Sequence, residues 1–277
     1  MFVIELLKTL LLGIVEGITE WLPISSTGHM ILLNEFISLD VSEAFWEMFE
    51  VVIQLGAILA VVVLFFGKLN PFASKKTTIE KRGTWRLWWL VILAVLPSAV
   101  IGLLLDDWLN EHLYRYEVVA IMLVVYGVAF IIIEKLRKNK PMRVERVEDL
   151  SWRDALMVGG FQVLAVIPGT SRSGSTILGG MLFGLSRTAA AEFSFYLAIP
   201  TMAGASLLKM VKFFLDGNTF CGEEIVILLV GLVTAFVVSL LVIRYLMDYV
   251  RRHSFSAFGV YRIVLGLLVL GYFWLVR

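Results

Sequence analysis

Six apolar runs, at residues 47–66, 88–105, 117–134, 188–210, 223–243 and 256–275, dominate this chain of 277 residues. A helix needs about 20 predominantly apolar residues to cross the hydrocarbon core of a bilayer, so each run predicts one membrane-spanning helix. Hydrophobic residues make up 59% of the sequence, against about 45–50% in soluble domains. The expected fold class is an all-α integral membrane protein, with residues 1–277 forming a single membrane domain.

The segments between the runs differ in charge. Residues 67–87 carry Lys68, Lys75, Lys76, Lys81, Arg82 and Arg86 against Glu80 alone, and 135–153 carry seven basic residues against three acids. The stretch 244–254 adds Arg244, Arg251 and Arg252, whereas 106–117 holds Asp106, Asp107, Glu111 and Glu117 with only Arg115. Lysine and arginine bias sets orientation, so the basic loops are expected in the cytoplasm and both termini outside. The formal net charge is +1, which implies no nucleic-acid partner. Cys221 is the only cysteine, which excludes an intrachain disulfide and a cysteine-based metal cluster. Glu5 precedes the first lysine and no small-residue cleavage site follows, so the N-terminal run does not read as a removable signal peptide.

Two further hydrophobic stretches, 3–38 and 152–184, are each broken in the middle, at Pro23 and at Pro168-Gly169. Proline lacks a backbone donor and disfavours helix at the residue before it, so Leu22 and Ile167 are expected to end their helices. The apolar pieces beyond the breaks are too short to span. Each stretch therefore predicts a re-entrant helical hairpin, because irregular backbone at membrane depth is tolerated where it lines a cavity. A shift of 146 residues sets Gly13 on Gly159, Glu16 on Gln162, Ser25 on Ser171, Thr27 on Ser173 and Gly28 on Gly174. Each hairpin precedes three spans, an odd number, so two inverted-topology repeats are expected: 1–134 and 152–277, joined by a cytoplasmic linker at 135–151. Such repeats place a site near the midplane, between broken helices.

The broken stretches also carry the reactive groups. Polar and ionisable residues at membrane depth are expensive and mark function by default. The first run is Glu16-Gly17-Ile18-Thr19-Glu20-Trp21-Leu22-Pro23-Ile24-Ser25-Ser26-Thr27-Gly28-His29. Glu16 and Glu20, four apart, project from one helix face, where they either raise a carboxyl pKa or hold a cation. Ser25, Ser26, Thr27 and Gly28 have the composition of a helix N-cap and equally of an anion site. His29, beside these hydroxyls and acids, is a candidate for catalysis or substrate contact. The second run is Gln162-Val163-Leu164-Ala165-Val166-Ile167-Pro168-Gly169-Thr170-Ser171-Arg172-Ser173-Gly174. Gly169, Thr170, Ser171, Ser173 and Gly174 allow a backbone nest around an anion. Arg172 offers a fork that matches phosphate oxygens, with pairing to Glu16 or Glu20 as the structural alternative. Two such tips facing each other argue for chemistry on a lipid-linked phosphate.

These runs, with Phe49-Glu50-Val51-Val52-Ile53-Gln54-Leu55-Gly56, Glu192-Phe193-Ser194-Phe195 and Pro200, closely resemble the bacterial undecaprenyl-diphosphatase family over essentially the whole chain. The resemblance implies a phosphatase of the bacterial plasma membrane that converts undecaprenyl diphosphate to undecaprenyl phosphate. That step recycles the lipid carrier for peptidoglycan and confers bacitracin resistance. It further implies an acidic pair at Glu16 and Glu20, a seryl nucleophile at Ser26, a histidine at His29, phosphate binding by Ser171 and Arg172, and a divalent cation such as Mg²⁺ or Ca²⁺. The metal ligands expected on this basis are Glu16 and Glu20, and the catalytic set is Ser26, Glu20, His29 and Arg172. The expected partners are the isoprenoid diphosphate and the bilayer; a homodimer is allowed but not required.

Two rivals differ in class. The type 2 phosphatidic-acid phosphatases use a histidine nucleophile six residues beyond a comparable arginine, where this chain has Leu178, and His112 and His253 are expected in loops. An ion-coupled transporter or flippase shares inverted repeats and buried acids, but has little need of clustered hydroxyls beside an anion-matched arginine. The expected chemistry is attack by Ser26 on the terminal phosphorus, with Glu20 or His29 taking its proton.

Overall fold

The computed structural model describes residues 2–113 and 115–276, with the backbone alone at 106, 107, 109–111 and 276. Among the described residues the chain is helical: α1 (Phe2–Thr19), α2 (Ser26–Phe36), α3 (Glu43–Val52), α4 (Gln54–Leu64), α5 (Phe66–Leu69), α6 (Thr78–Leu113), α7 (Tyr116–Arg137), α8 (Trp152–Val163), α9 (Arg172–Leu182), α10 (Arg187–Leu215), α11 (Gly222–Arg252) and α12 (Ser256–Val276). Six stretches are long and apolar enough to cross a membrane: Glu43–Leu64, Thr78–Leu105, Tyr116–Arg137, Arg187–Leu215, Gly222–Arg252 and Ser256–Leu275. The protein is thus all-α and multi-pass.

Each span occurs where an apolar run predicts it, but the boundaries move. Helix α6 absorbs residues 78–87 and 106–113, both expected as loop, and His112 lies in its last turn. Helix α11 carries Arg244, Arg251 and Arg252 within it, so that stretch is not a loop either; His253 caps its end. Long basic side chains let a helix continue into the headgroup region while their charges stay in water, and no proline or glycine stops these turns. The first span divides at Ile53 into α3 and α4.

The broken stretches fold back on themselves. Helix α1 ends at Thr19 and α8 at Val163, three and four residues before the expected Leu22 and Ile167. Both stops come early because a turn over Glu20–Ile24 and a 3₁₀ turn at Leu164–Val166 lead into the prolines. At the far end of the first pair, Lys8 Nζ donates to the Ser38 carbonyl at 2.7 Å and Glu5 accepts from the Asp40 amide at 2.9 Å. The second pair closes similarly: Arg143 binds Asp154 near the start of α8 and the Phe183 carbonyl just after α9. Each helix pair therefore returns the chain to the end at which it entered.

Packing matches across the two halves. Helix α1 lies against α11, α8 against α6, and α7 against α12. Close approach decides two of these contacts. A Cβ on Gly159 would sit 2.2 Å from the Ala94 carbonyl oxygen, and one on Gly13 would sit 2.8 Å from Thr234 Cβ, so only glycine lets these backbones meet. Phe193, Phe195 and Tyr196 of α10 are fully buried, while Leu103, Leu207, Val233 and Leu268 are exposed on the outside. This apolar exterior suits lipid rather than water.

Ion pairs gather at the basic end. Lys68 contacts Glu192 at 2.6 Å and Glu148 at 3.1 Å, and Arg187 contacts Glu134 at 2.5 Å. Burial around Lys68 works against its charge, but the two carboxylates outweigh it and raise its pKa.

Candidate functional site

The tips of the two broken stretches share one local geometry. Among the described residues, Ser25 (φ 74°) and Ser171 (φ 73°) are the non-glycine positions with positive φ. Each is the N-cap of the helix that follows, accepting from Gly28 N at 3.2 Å and Gly174 N at 3.1 Å respectively. Side chains rarely adopt this backbone, at a cost of about 1–3 kcal/mol each, and such residues cluster at functional sites.

The tips meet through side chains. Ser26 Oγ donates to Glu20 Oε2 at 2.6 Å, and Arg172 Nη2 donates to Glu20 Oε1 at 2.6 Å. The other prong of Arg172 binds the Ser194 carbonyl at 2.8 Å and the Ser194 hydroxyl at 3.2 Å, and its guanidinium lies 5.7 Å from the centre of the Trp21 ring. Ser173 Oγ donates to the carbonyl of Glu20 or Leu22 and lies 3.1 Å from Ser171 Oγ. His29 faces away from Ser26: Nδ1 is 2.7 Å from the Ser25 carbonyl and Nε2 is 2.7 Å from the Tyr261 hydroxyl. The carbonyl can only accept, so Nδ1 carries hydrogen and a neutral ring accepts from Tyr261.

A cavity of about 700 Å³ opens over this cluster, lined by Glu20, Ser25, Ser26, Thr27, Gly169, Ser171 and Arg172. Glu16, Gly28, His29, Thr170, Ser173 and Gly174 stand behind these residues and do not line it. Gly28 and Gly174 contribute amides to the caps, while Glu16 and Thr170 are completely buried. The cavity adds Ser98, Gln162 and Thr201: Gln162 Nε2 donates to Ser98 Oγ at 2.7 Å and to Thr201 Oγ1 at 3.3 Å.

Residues 9–268 match the family model described as bacitracin resistance protein BacA. The chain belongs to this family. It is similar to the undecaprenyl-diphosphatase of Enterococcus faecalis, 58% identical over 271 residues that cover 98% of both chains. It is similar also to that of Streptococcus thermophilus, 59% identical over 98% of this chain and 94% of the relative. The Acetivibrio thermocellus protein of the same name is 57% identical over 99% of this chain and 100% of the relative.

Within this BacA-family chain, a central residue has no place in the two motif runs. Arg262, fully buried in α12, donates to the Pro23 carbonyl at 3.0 Å and to the Gly169 and Thr170 carbonyls at 2.7 and 3.0 Å. It therefore ties both tips together. An arginine inside a predicted span is itself a signal for function, and the sixth apolar run contains it. Tyr261 and Ser194 give no comparable sign.

Among the described residues, no three His, Cys, Asp or Glu side chains converge as a metal cluster. The Glu16 carboxylate is nevertheless buried with neither oxygen hydrogen-bonded. Mg²⁺ is usually held by one or two carboxylates together with substrate phosphate oxygens. The unpaired Glu16 oxygens suit such a role, with Glu20 joining them only by giving up its bond to Ser26 or Arg172.

Proposed function

We propose that this protein hydrolyses undecaprenyl diphosphate to undecaprenyl phosphate and inorganic phosphate at the Glu20–Ser26–Arg172 cluster, recycling the lipid carrier for cell-wall polymers and so conferring bacitracin resistance. The observation that carries this reading is the 2.6 Å hydrogen bond from Ser26 Oγ to Glu20 Oε2, beside an arginine on the carboxylate's other oxygen. A hydroxyl already donating to a carboxylate is poised as an activated nucleophile.

Ser26 Oγ attacks the terminal phosphorus and passes its proton to Glu20. The P–O bond to the bridging oxygen breaks, and undecaprenyl phosphate leaves with that oxygen. Glu20 gives that proton to the departing undecaprenyl phosphate; water then attacks the phosphoserine and loses a proton to Glu20, which returns it to Ser26 Oγ as the bond from serine to phosphorus breaks and phosphate is released. When Glu20 takes the proton its hold on Arg172 weakens, which frees a guanidinium N–H for the charge gathering on the phosphoryl oxygens. The Ser171 hydroxyl and the tip amides add donors, and Thr27 lines the same wall. His29 holds the Ser25 carbonyl and acts as a positioning residue rather than the base. Glu16 and Glu20 would hold the divalent cation, which supplies charge neutralisation to the diphosphate. One chain completes this site, so a homodimer is not needed for it.

Purified protein should release phosphate from undecaprenyl diphosphate, with the rate dependent on Mg²⁺ or Ca²⁺. No release under either ion would overturn the assignment.

The two halves, 1–134 and 152–277, are proposed as inverted repeats in the bacterial plasma membrane, with α1–α2 and α8–α9 re-entrant. Support comes from the paired caps at Ser25 and Ser171 and from the matched contacts of α1 with α11 and α8 with α6. The basic loops would face the cytoplasm, leaving both termini outside. Cys221 is exposed and should then react with a membrane-impermeant thiol reagent in intact cells, whereas a cysteine at Lys75 in a Cys221→Ser background should be shielded. The opposite pattern would reverse the orientation.

A further inference from the structure

We infer that the isoprenoid chain of the substrate leaves the site through a slot between α6 and α10, and that Gly102 and Gly204 set the width of that slot. The inference rests on the diphosphatase reading above and identifies where the apolar part of that substrate lies. The cavity that begins at Ser26 and Arg172 continues along Ala99, Gly102 and Leu103 of α6 and Gly204, Leu207 and Val211 of α10. One end of a single space is thus polar and charged, and the other is apolar. That is the shape of a ligand with a diphosphate head and a hydrocarbon tail. Leu103 is 68% exposed and Leu207 64% exposed, so the apolar end opens on the lipid-facing side of the molecule and the tail need not be enclosed.

The two glycines are informative because of what surrounds them. Many glycines of the bundle, among them Gly56, Gly127 and Gly159, sit where a Cβ would strike a neighbouring helix, whereas others, such as Gly83, Gly160 and Gly271, face open space away from the cavity lining. A Cβ on Gly102 or Gly204 would meet nothing within 4 Å. Helix packing does not require glycine at either position, and glycine inside a helix costs roughly 1 kcal/mol relative to alanine. Open space beside cavity-lining glycines on facing helices is what passage of a chain between them demands.

The slot also has a defined depth. Residues 95–103 lie roughly 26–38 Å along α6 from its start at Thr78, taking 1.5 Å per residue. Both α6 and α10 begin at the basic end of the molecule, beside Lys68 and Arg187. The slot therefore opens in the half of the bilayer away from the basic loops.

The test compares farnesyl and undecaprenyl diphosphate as substrates of purified Gly102→Phe and Gly204→Phe. A Cβ at either position meets nothing within 4 Å, so the phenyl group starts in open space beside the cavity. The ratio of kcat/KM for the long over the short substrate should fall at least tenfold, carried mainly by KM. Gly271→Phe in α12, where a Cβ also meets nothing within 4 Å but no cavity passes, should leave the ratio within twofold of wild type. An unchanged ratio in both slot variants, or an equal loss on both substrates, would overturn the inference. Wild-type protein that hydrolyses neither substrate would instead overturn the functional assignment. Should the variants fail to fold, a farnesyl diphosphate bearing a terminal diazirine can be photolysed with wild-type protein. Labelling is expected on peptides from 95–103 and 200–211, and labelling confined to other helices would overturn the slot.

Discussion

The two tips share a backbone and differ in chemistry. At the positions related by the 146-residue shift, Ser25 and Ser171 have the same φ to within a degree and cap their helices through the same bond to a glycine amide. The next position is Ser26 in one tip and Arg172 in the other, and Glu16 on the first arm stands opposite Gln162 on the second. A single strained turn thus occurs twice and is furnished differently, with a hydroxyl and a carboxylate on one side and a guanidinium on the other. The shared geometry fixes where side chains start, and their identity decides what the pair can do. Neither tip alone holds a hydroxyl, a carboxylate and a guanidinium together; the Arg172–Glu20 bond joins the asymmetric pair into one cluster.

The sharpest way to break this comparison is at Ser26. Ser26→Ala should lower kcat on the order of 10³-fold or more while the protein still inserts and binds substrate, and phosphate release at saturating substrate measures it. Near-normal turnover would hand the nucleophile to Ser25 or Thr27, or to water directly.

Glu20 and Glu16 come next, because they divide one acidic arm into two roles. Glu20→Gln should cost about 10²–10⁴-fold in kcat, the range of general-base catalysis, and resist rescue by excess metal. Glu16→Gln should raise the metal concentration needed for activity and be largely rescued by more of it. Full rescue of Glu20→Gln by metal would reverse the division.

Arg172→Lys probes the second tip alone. Loss of one preorganised donor to a developing oxyanion costs about 10²–10³ in rate. The lysine variant should lose nearly as much as Arg172→Ala, since a point charge reproduces neither the contact with Glu20 nor that with Ser194. A lysine variant with most of its activity would reduce Arg172 to diffuse positive charge.

The smallest effect is expected where the tips are joined. Arg262→Lys keeps the charge but cannot span the Pro23 and Gly169–Thr170 carbonyls together. It should lower kcat about ten- to a hundredfold, as small misplacements of reacting groups do, with little change in KM. Equal loss in KM and kcat would make Arg262 a general scaffold residue rather than one that sets the spacing of the tips.

The sequence by itself determined the six spans, the two interruptions, and the polar residues Glu20, Ser26 and Arg172 that the fold brings together. Apolar run length, intramembrane charge and proline position are local properties, although Pro97 and Pro200 lie inside α6 and α10 without ending them. Helix ends were misplaced for the same reason. The one local feature against helix in 78–87 is Gly83, and 244–252 has none, so whether those turns continue depends on how the basic side chains reach water. Only the tertiary structure decided between Glu20 and His29 as the partner of Ser26, because Glu20 lies in the turn beyond α1 and its reach to Ser26 depends on how that turn folds. It turned His29 toward Tyr261, 232 residues away, and brought Arg262 from the last helix between two tips whose own sequences do not contain it. These contacts join residues far apart in the chain: Arg262 stands out as an arginine in an apolar run, but nothing in the sequence says that it binds the Pro23, Gly169 and Thr170 carbonyls. Its position follows from the packing of α12 against α7, which is settled only when the whole bundle closes.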